Sequence, residues 1–354
     1  MDNLFFFPQV RWKIPEYTKR QINDAGEVIR NPNAKEDKKK EALAIVDNWR
    51  AAHAYPMHVF YMNLRGKAKS RSDILVAERL KRLDSIIKKL QLQTSMQLYR
   101  MQDLGGCRMI VPSIDEVYGF SSKIQTPRIR HVLKKTDDYI KEPKLSGYRS
   151  LHLIYQFRSD TPGKEIYNSY PMLIELQFRT HLQHIWATAV ETKGLFINQA
   201  LKSGQGDESI KRFFAVVSSL FALKEGAPVV PGTVADEAEL ISEIEQINNR
   251  YHILDTISAI KIAFNRGDNH IAKQHGYYIL QLNYEEKIVT MWPFMPSEIE
   301  SAALMYEKLE QEKEDKPLDT VLIRASSFSA VKSAYPNYFM DITEFVDLVF
   351  DYLR

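Results

Sequence analysis

Apolar positions recur three and four residues apart through 35–53 and again through 71–90, which is the spacing of an amphipathic helix. Three stretches of the first half follow another rule. Residues 108–111 and 151–157 are short apolar runs with β-branched or aromatic content, and 172–178 alternates with the two-residue period of a strand. Helical spacing returns over 181–194 and 213–223. After Gly226, Pro228, Pro231 and Gly232 comes a long helical pattern over 237–265. Residues 277–282 and 287–292 then read as a hairpin turning through 283–286. A charged helix at 297–313, a strand at 320–324 and one or two short terminal helices complete the chain. Interleaved strands and helices predict an α/β layer fold for the first half. The Gly/Pro cluster predicts a division into domains 1–225 and 226–354, the second a smaller α+β unit.

With 44% apolar and 11% aromatic residues over 354 positions, the chain can bury a full core. Its single cysteine, Cys107, excludes an internal disulfide and a cysteine-based zinc site. No run of about 20 apolar residues predicts a membrane span. The apolar residues 4–7 lack a basic start and are too few for a secretion signal, so a cytoplasmic location is expected. The net charge of +3 identifies no partner, but its distribution is uneven. Basic residues crowd 65–82 and 128–149, and acidic ones crowd 236–245 and 307–315. That asymmetry invites an internal electrostatic contact, although charge runs are also ordinary solvated faces.

Three segments of the first half carry residues that a phosphoryl-transfer site needs. On a helix, Lys81, Ser85 and Lys89 share a face, so two ammonium groups flank a hydroxyl as a triphosphate cradle would. Asp103 precedes a strand and is followed by Gly105 and Gly106, which suits a carboxylate that holds Mg²⁺ where phosphates approach the backbone. Alternation over 172–180 places Glu175, Gln177 and Arg179 on one strand face, as metal ligand or base, orienter and phosphate clamp. Between them, Tyr148 follows Gly147 in a loop rich in Lys and Ser, where an aromatic ring can stack on a base. Each segment alone also fits a structural role: a basic helix face, a turn aspartate, a cross-strand ion pair, a packing tyrosine.

Taken in order, these segments resemble the synthetase domain of the RelA/SpoT alarmone-synthetase family over residues 65–194. The strings D-Y-I-K-E-P-K-L-S-G-Y-R-S-L-H at 138–152 and E-L-Q-F-R-T at 175–180 carry the resemblance. It implies a mixed-sheet nucleotidyltransferase-like fold and an ATP pyrophosphokinase, with Mg²⁺ accompanying ATP. Arg79 then matches the arginine that stacks on adenine. Lys81, Ser85 and Lys89 match the ATP-phosphate contacts, and Asp103 matches the magnesium-binding aspartate. Tyr148 matches the tyrosine that stacks on the acceptor base, with Lys144 and His152 lining the same pocket. Glu175 matches the residue that binds metal or activates the acceptor 3′-hydroxyl, with Gln177 and Arg179 as its strand neighbours.

One departure concerns the acceptor. Where alarmone synthetases carry a basic residue before the D-Y-I string, this chain has Asp137, which repels a 5′-diphosphate. The chain is in that respect similar to a toxic branch of the family that modifies the 3′ CCA end of tRNA, and the alternative acceptor is GDP or GTP. The C-terminal half, with Tyr335 and Tyr338, resembles the fused antitoxin region of phage-defence members. That resemblance implies autoinhibition by the two tyrosines over the ATP site and release by a phage protein.

Overall fold

A computed structural model describes residues 12–69, 71–126, 129–200, 205–254, 263–265, 276–283, 286, 288–311, 318–325, 331 and 342–354. Three helices come first: α1 (Lys19–Arg30), α2 (Glu36–Ala52) and α3 (Ala54–Lys67). Thr18 and Gln21 close a capping box at the start of α1, whose buried Ile22, Ala25 and Ile29 lie one and two turns apart. Then follow β1 (Leu75–Leu80), α4 (Leu83–Leu92), β2 (Gly105–Val111), α5 (Ile114–Ile124), β3 (Val132–Asp138), β4 (Leu151–Gln156) and β5 (Leu173–Thr180). Helices α6 (His181–Ala200), α7 (Gln205–Lys224) and α8 (Glu237–Tyr251) precede β6 (Ala263–Asn265), β7 (Gly276–Asn283) and β8 (Ile288–Phe294). Helix α9 (Ile299–Gln311), β9 (Leu318–Ala325) and α10 (Thr343–Tyr352) end the chain.

The nine strands form one mixed sheet in the order β3-β4-β5-β2-β1-β9-β7-β8-β6, so the expected α/β class holds. Strands β2 and β5 run parallel, whereas β1 is antiparallel to β2, and β4 to β3 and β5. The hairpin of β7 and β8 forms as expected, pairing Asn283 with Ile288 at its turn. The sheet does not stop between the halves. Strand β9 pairs with the outer edge of β1 through Glu78↔Arg324 and Arg79↔Ile323. The helical core crosses residue 225 as well: Phe213, Phe214 and Phe221 of α7 pack with Leu240 and Ile244 of α8 and with Phe345 and Val349 of α10.

Two expected helices are corrected. The helix over 71–90 is a strand followed by a shorter helix, because 75–80 pairs rung for rung with β2. Leu75, Ala77, Glu78 and Leu80 are helix formers by propensity, and tertiary pairing overrides them. The helix over 237–265 ends at Tyr251, where His252 takes a left-handed conformation (φ 48°) and its N–H bonds back to Asn248 O; residues 263–265 are strand. The acidic run 236–245 does meet cations, but those of α7. Arg212 grips Glu243 with two bonds of 2.6 and 2.8 Å, and Lys224 pairs with Glu237.

Candidate active site

Strands β1, β2 and β5 lie side by side, and their registers Arg79↔Gly106↔Glu175 and Arg108↔Gln177 place these residues on one sheet face. Burial shows why the face is polar: on β5, Ile174, Leu176 and Phe178 fill the core side, leaving Glu175 and Gln177 on the other. With Lys81, Asp103 and Cys107 these residues line a cleft of about 100 Å³.

On one wall, Asp103 is bound by Lys81 Nζ at 2.9 Å and Lys89 Nζ at 3.0 Å, one ammonium on each carboxylate oxygen. Burial opposes ionisation of Asp103, but the Coulomb pull of Lys81 and Lys89 wins and holds its carboxyl below the ordinary range. The geometry corrects the expected helical cradle. Lys81 lies outside α4, in the link after β1, where its N–H bonds to Leu104 O at 2.8 Å. Lys81 and Lys89 therefore converge on Asp103 from a strand end and a helix rather than from one helix face. Ser85 sits one turn before Lys89 on α4, half-exposed, and among the described residues it is not part of the cleft lining.

The other wall is a hydrogen-bonded chain. Glu175 accepts from Gln177 Nε2 at 2.7 Å and contacts His152 Nδ1 at 2.9 Å. His152 Nε2 lies 2.8 Å from Tyr148 Oη, which accepts from Arg179 Nη2 at 2.6 Å. Neutral His152 with its proton on Nδ1 satisfies every group in this chain: it donates to Glu175 and accepts from Tyr148. Burial pushes the Glu175 carboxyl up and the His152 contact pulls it down, with a net result below the ordinary range. Arg179 is buried, and its Nε and Nη1 have no hydrogen-bond partner, so its charge is spent on Tyr148, whose ring it also faces at 5.1 Å, and on Gln177 Oε1 at 3.3 Å. Lys144 lies over both the Tyr139 ring (4.2 Å) and the Tyr148 ring (5.1 Å).

Two residues of the site escaped the sequence reading. Arg108 bonds Gln177 Oε1 at 3.3 Å and lines the cleft; only the β2–β5 register selects its face. Tyr139 packs edge-on against His152 (5.3 Å) and Tyr148 (5.8 Å), and its place in the D-Y-I string was the available signal. Tyr335 and Tyr338 lie outside the described residues.

The donor set suits a metal that arrives with a nucleotide. Among the described residues no three carboxylate, imidazole or thiol groups converge. Two carboxylates, Asp103 and Glu175, line one cleft, and Mg²⁺ bound to a triphosphate characteristically takes one or two carboxylates and leaves its other positions to phosphate and water.

The sheet-floored cleft thus carries Asp103 with its paired cations and Glu175, which ends a Tyr–His–Glu chain, a combination suited to nucleotide phosphates. Residues 78–198, which include the cleft residues from Arg79 to Gln177, match the family model described as the region found in RelA / SpoT proteins. The chain is 30% identical over 115 residues to GTP pyrophosphokinase YwaC of Bacillus subtilis and 32% identical over 116 residues to GTP pyrophosphokinase YjbM of the same organism. These matches cover 31% and 32% of this chain and 52% of each relative, so the chain spans about half the length of the curated relatives it matches. Among solved structures, a GTP pyrophosphokinase family protein from Streptococcus pneumoniae aligns over 50% of this chain and 87% of its own, with 24% identity and a TM-score of 0.41. None of the described helices is long and apolar enough to cross a membrane.

Proposed function

We propose that this protein is an ATP pyrophosphokinase that binds ATP with Mg²⁺ against Arg79, Lys81, Lys89 and Asp103 and transfers its β,γ-diphosphate to a 3′-hydroxyl. The observation that carries the reading is the pairing of two unlike walls in one cleft: a carboxylate held between two ammonium groups faces a carboxylate that ends a Tyr–His–Glu chain. The acceptor oxygen attacks the β-phosphorus, the bond to the α-phosphate oxygen breaks, and AMP leaves. The hydroxyl proton passes to the Glu175 wall, where the His152–Glu175 pair can take it. Tyr148 and Tyr139, with Lys144 above both, form the stacking surface for the acceptor base.

The acceptor we propose is the 3′ CCA end of tRNA. Asp137 supports this choice. It stands opposite His152 on β3, and Lys135 Nζ pairs with it at 2.8 Å, so the repulsion expected of a lone carboxylate is offset, and what a 5′-diphosphate would lack at this position is a free cation. The basic stretches at 65–71 and 128–135 would track the RNA backbone. A second reading, GDP or GTP as acceptor, is favoured by the relatives named GTP pyrophosphokinase. ATP labelled at the γ-phosphate, offered with deacylated tRNA in one tube and with GDP or GTP in another, separates the two. Label at the RNA 3′ end supports the first, label on guanine nucleotide alone the second. Label on neither, with the folded chain and with its Tyr335→Ala/Tyr338→Ala variant alike, removes the pyrophosphokinase reading.

We further propose that residues 226–354 restrain the synthetase domain 1–225, with Tyr335 and Tyr338 covering the ATP wall and a phage protein as the releasing partner. The attachment of β9 beside Arg79 supports this reading. A full-length Tyr335→Ala/Tyr338→Ala variant should then transfer diphosphate faster than the parent, and an unchanged rate would remove the two tyrosines from the proposal.

A further inference from the structure

The acceptor wall depends on a helix that lies outside the matched region. Gly147 has φ +93°, and a Cβ there would stand 2.7 Å from Trp186 Cζ2 and 2.9 Å from Ser218 Cβ, so the turn is pressed against α6 and α7. Ser218 Oγ donates to Gly147 O at 2.6 Å and accepts from Arg149 Nε at 3.1 Å. The residues on both sides of Tyr148 are thus held by one buried hydroxyl, whose donor and acceptor roles are both used. Arg149, itself buried, also donates to Ile140 O at 3.4 Å, which ties the turn to the D-Y-I string. The far side of α7 is set by the C-terminal half, where Phe345 stacks on Phe214 at 5.6 Å and meets Phe221 at 6.2 Å.

We propose that Ser218 is a positioning residue for the acceptor: it fixes the Gly147–Arg149 turn so that Tyr148 stays in reach of His152 and Arg179. This rests on the reading of Tyr148 as the acceptor-stacking residue. The neighbouring Ser219 provides the control. It is equally buried and hydrogen-bonded, but it faces the Val230–Thr233 turn and does not touch the acceptor loop.

The test compares full-length Ser218→Ala with Ser219→Ala, using as acceptor whichever of deacylated tRNA or GDP takes the label. Ser218→Ala should raise the acceptor KM about tenfold, the size of one net hydrogen bond lost, with the ATP KM unmoved, and Ser219→Ala should leave the acceptor KM unchanged. Amide exchange of Gly147 and Tyr148 should quicken in Ser218→Ala alone, a readout that needs no substrate. Arg149→Lys, which removes the same contact from the other side, should repeat the split if Ser218→Ala folds poorly. An unchanged acceptor KM with unchanged exchange would overturn the proposal, as would equal effects of the two serine variants. Glu175→Gln is assayed beside them. If it keeps full transfer, the reading of the site fails, whereas loss there with no effect at Ser218 rejects the positioning role alone.

Discussion

The two walls of the cleft are held by different physics. On the wall proposed for ATP, Lys81, Lys89 and Asp103 come from one short segment and are fixed by charge: three side chains, between 18% and 27% exposed, with both ammonium groups paired to one carboxylate. On the acceptor wall, Tyr139, Lys144, Tyr148, His152 and Glu175 are fixed by neutral and charge-assisted hydrogen bonds, ring contacts and the α7 helix behind them. The first wall can rearrange when phosphates and a cation arrive, because each of its contacts is an ion pair whose lysine a phosphate and whose carboxylate a metal can take over. The second is preorganised, since Tyr148, His152 and Glu175 are already joined in one hydrogen-bonded chain to Arg179 and Gln177.

The largest effects should come from removing the carboxylate that ends each wall. Glu175→Gln and Asp103→Asn should each lower the transfer rate about 10²–10⁴-fold, as measured with labelled ATP, without loss of fold. Similar losses at both would make the walls chemically equivalent; a rate loss at Glu175 against an ATP KM increase at Asp103 would sharpen the contrast. Gly147→Ala should follow, because it demands both a left-handed φ and the space held by Trp186. A cost of about 1–3 kcal/mol in thermal unfolding and a raised acceptor KM are expected. Arg324→Ala removes the guanidinium whose Nη1 lies 3.0 Å from His58 and donates to Tyr277 Oη at 3.0 Å, beside buried Glu78. Unfolding should become easier by about 1–3 kcal/mol, with the acceptor KM unmoved because this junction lies at β1. Tyr148→Phe keeps the ring but deprives Arg179 and His152 of their shared hydroxyl, so about a tenfold rise in acceptor KM is expected with little change for ATP.

The smallest effect concerns pH. Asp103 and Glu175 are both held below the ordinary carboxylate range, so their contribution to stability is fully present above their unfolded values and is lost as pH falls through the lower folded ones. Stability measured from pH 7 downwards should show no loss from these two groups until below about pH 4. A loss beginning nearer pH 6 would come instead from His53 and His131, which burial holds neutral with pKa values lowered to about 4, so that it would lie outside the cleft.

Much of the site could be read along the chain because its residues recur in short strings. Alternation over 172–180 placed Glu175 and Gln177 on the polar face of β5, and burial of Ile174, Leu176 and Phe178 agrees. Strand β1 could not be read this way. Its residues favour helix, and only pairing with β2 on one side and β9 on the other makes 75–80 extended. The Gly/Pro cluster at 226–232 read as a linker, and a turn is there, yet the sheet and the α7 core both continue past it. A local break in hydrophobic periodicity reports a turn and carries no information about what packs across it.

By itself, then, the sequence determined the α/β class, the strand that carries Glu175, and the identity of the charged and aromatic side chains available for chemistry. Those properties follow from periodicities of two and 3.6 residues and from side-chain type, which are local. The tertiary structure decided which of those side chains meet: that Lys81 and Lys89 converge on Asp103 from different elements, that Arg108 and Tyr139 join the site, that Ser218 supports Tyr148, and that β9 extends the sheet at β1. Each of these depends on strand register or helix docking between distant segments, and a register is fixed by the burial of whole faces, which no single stretch of the chain encodes.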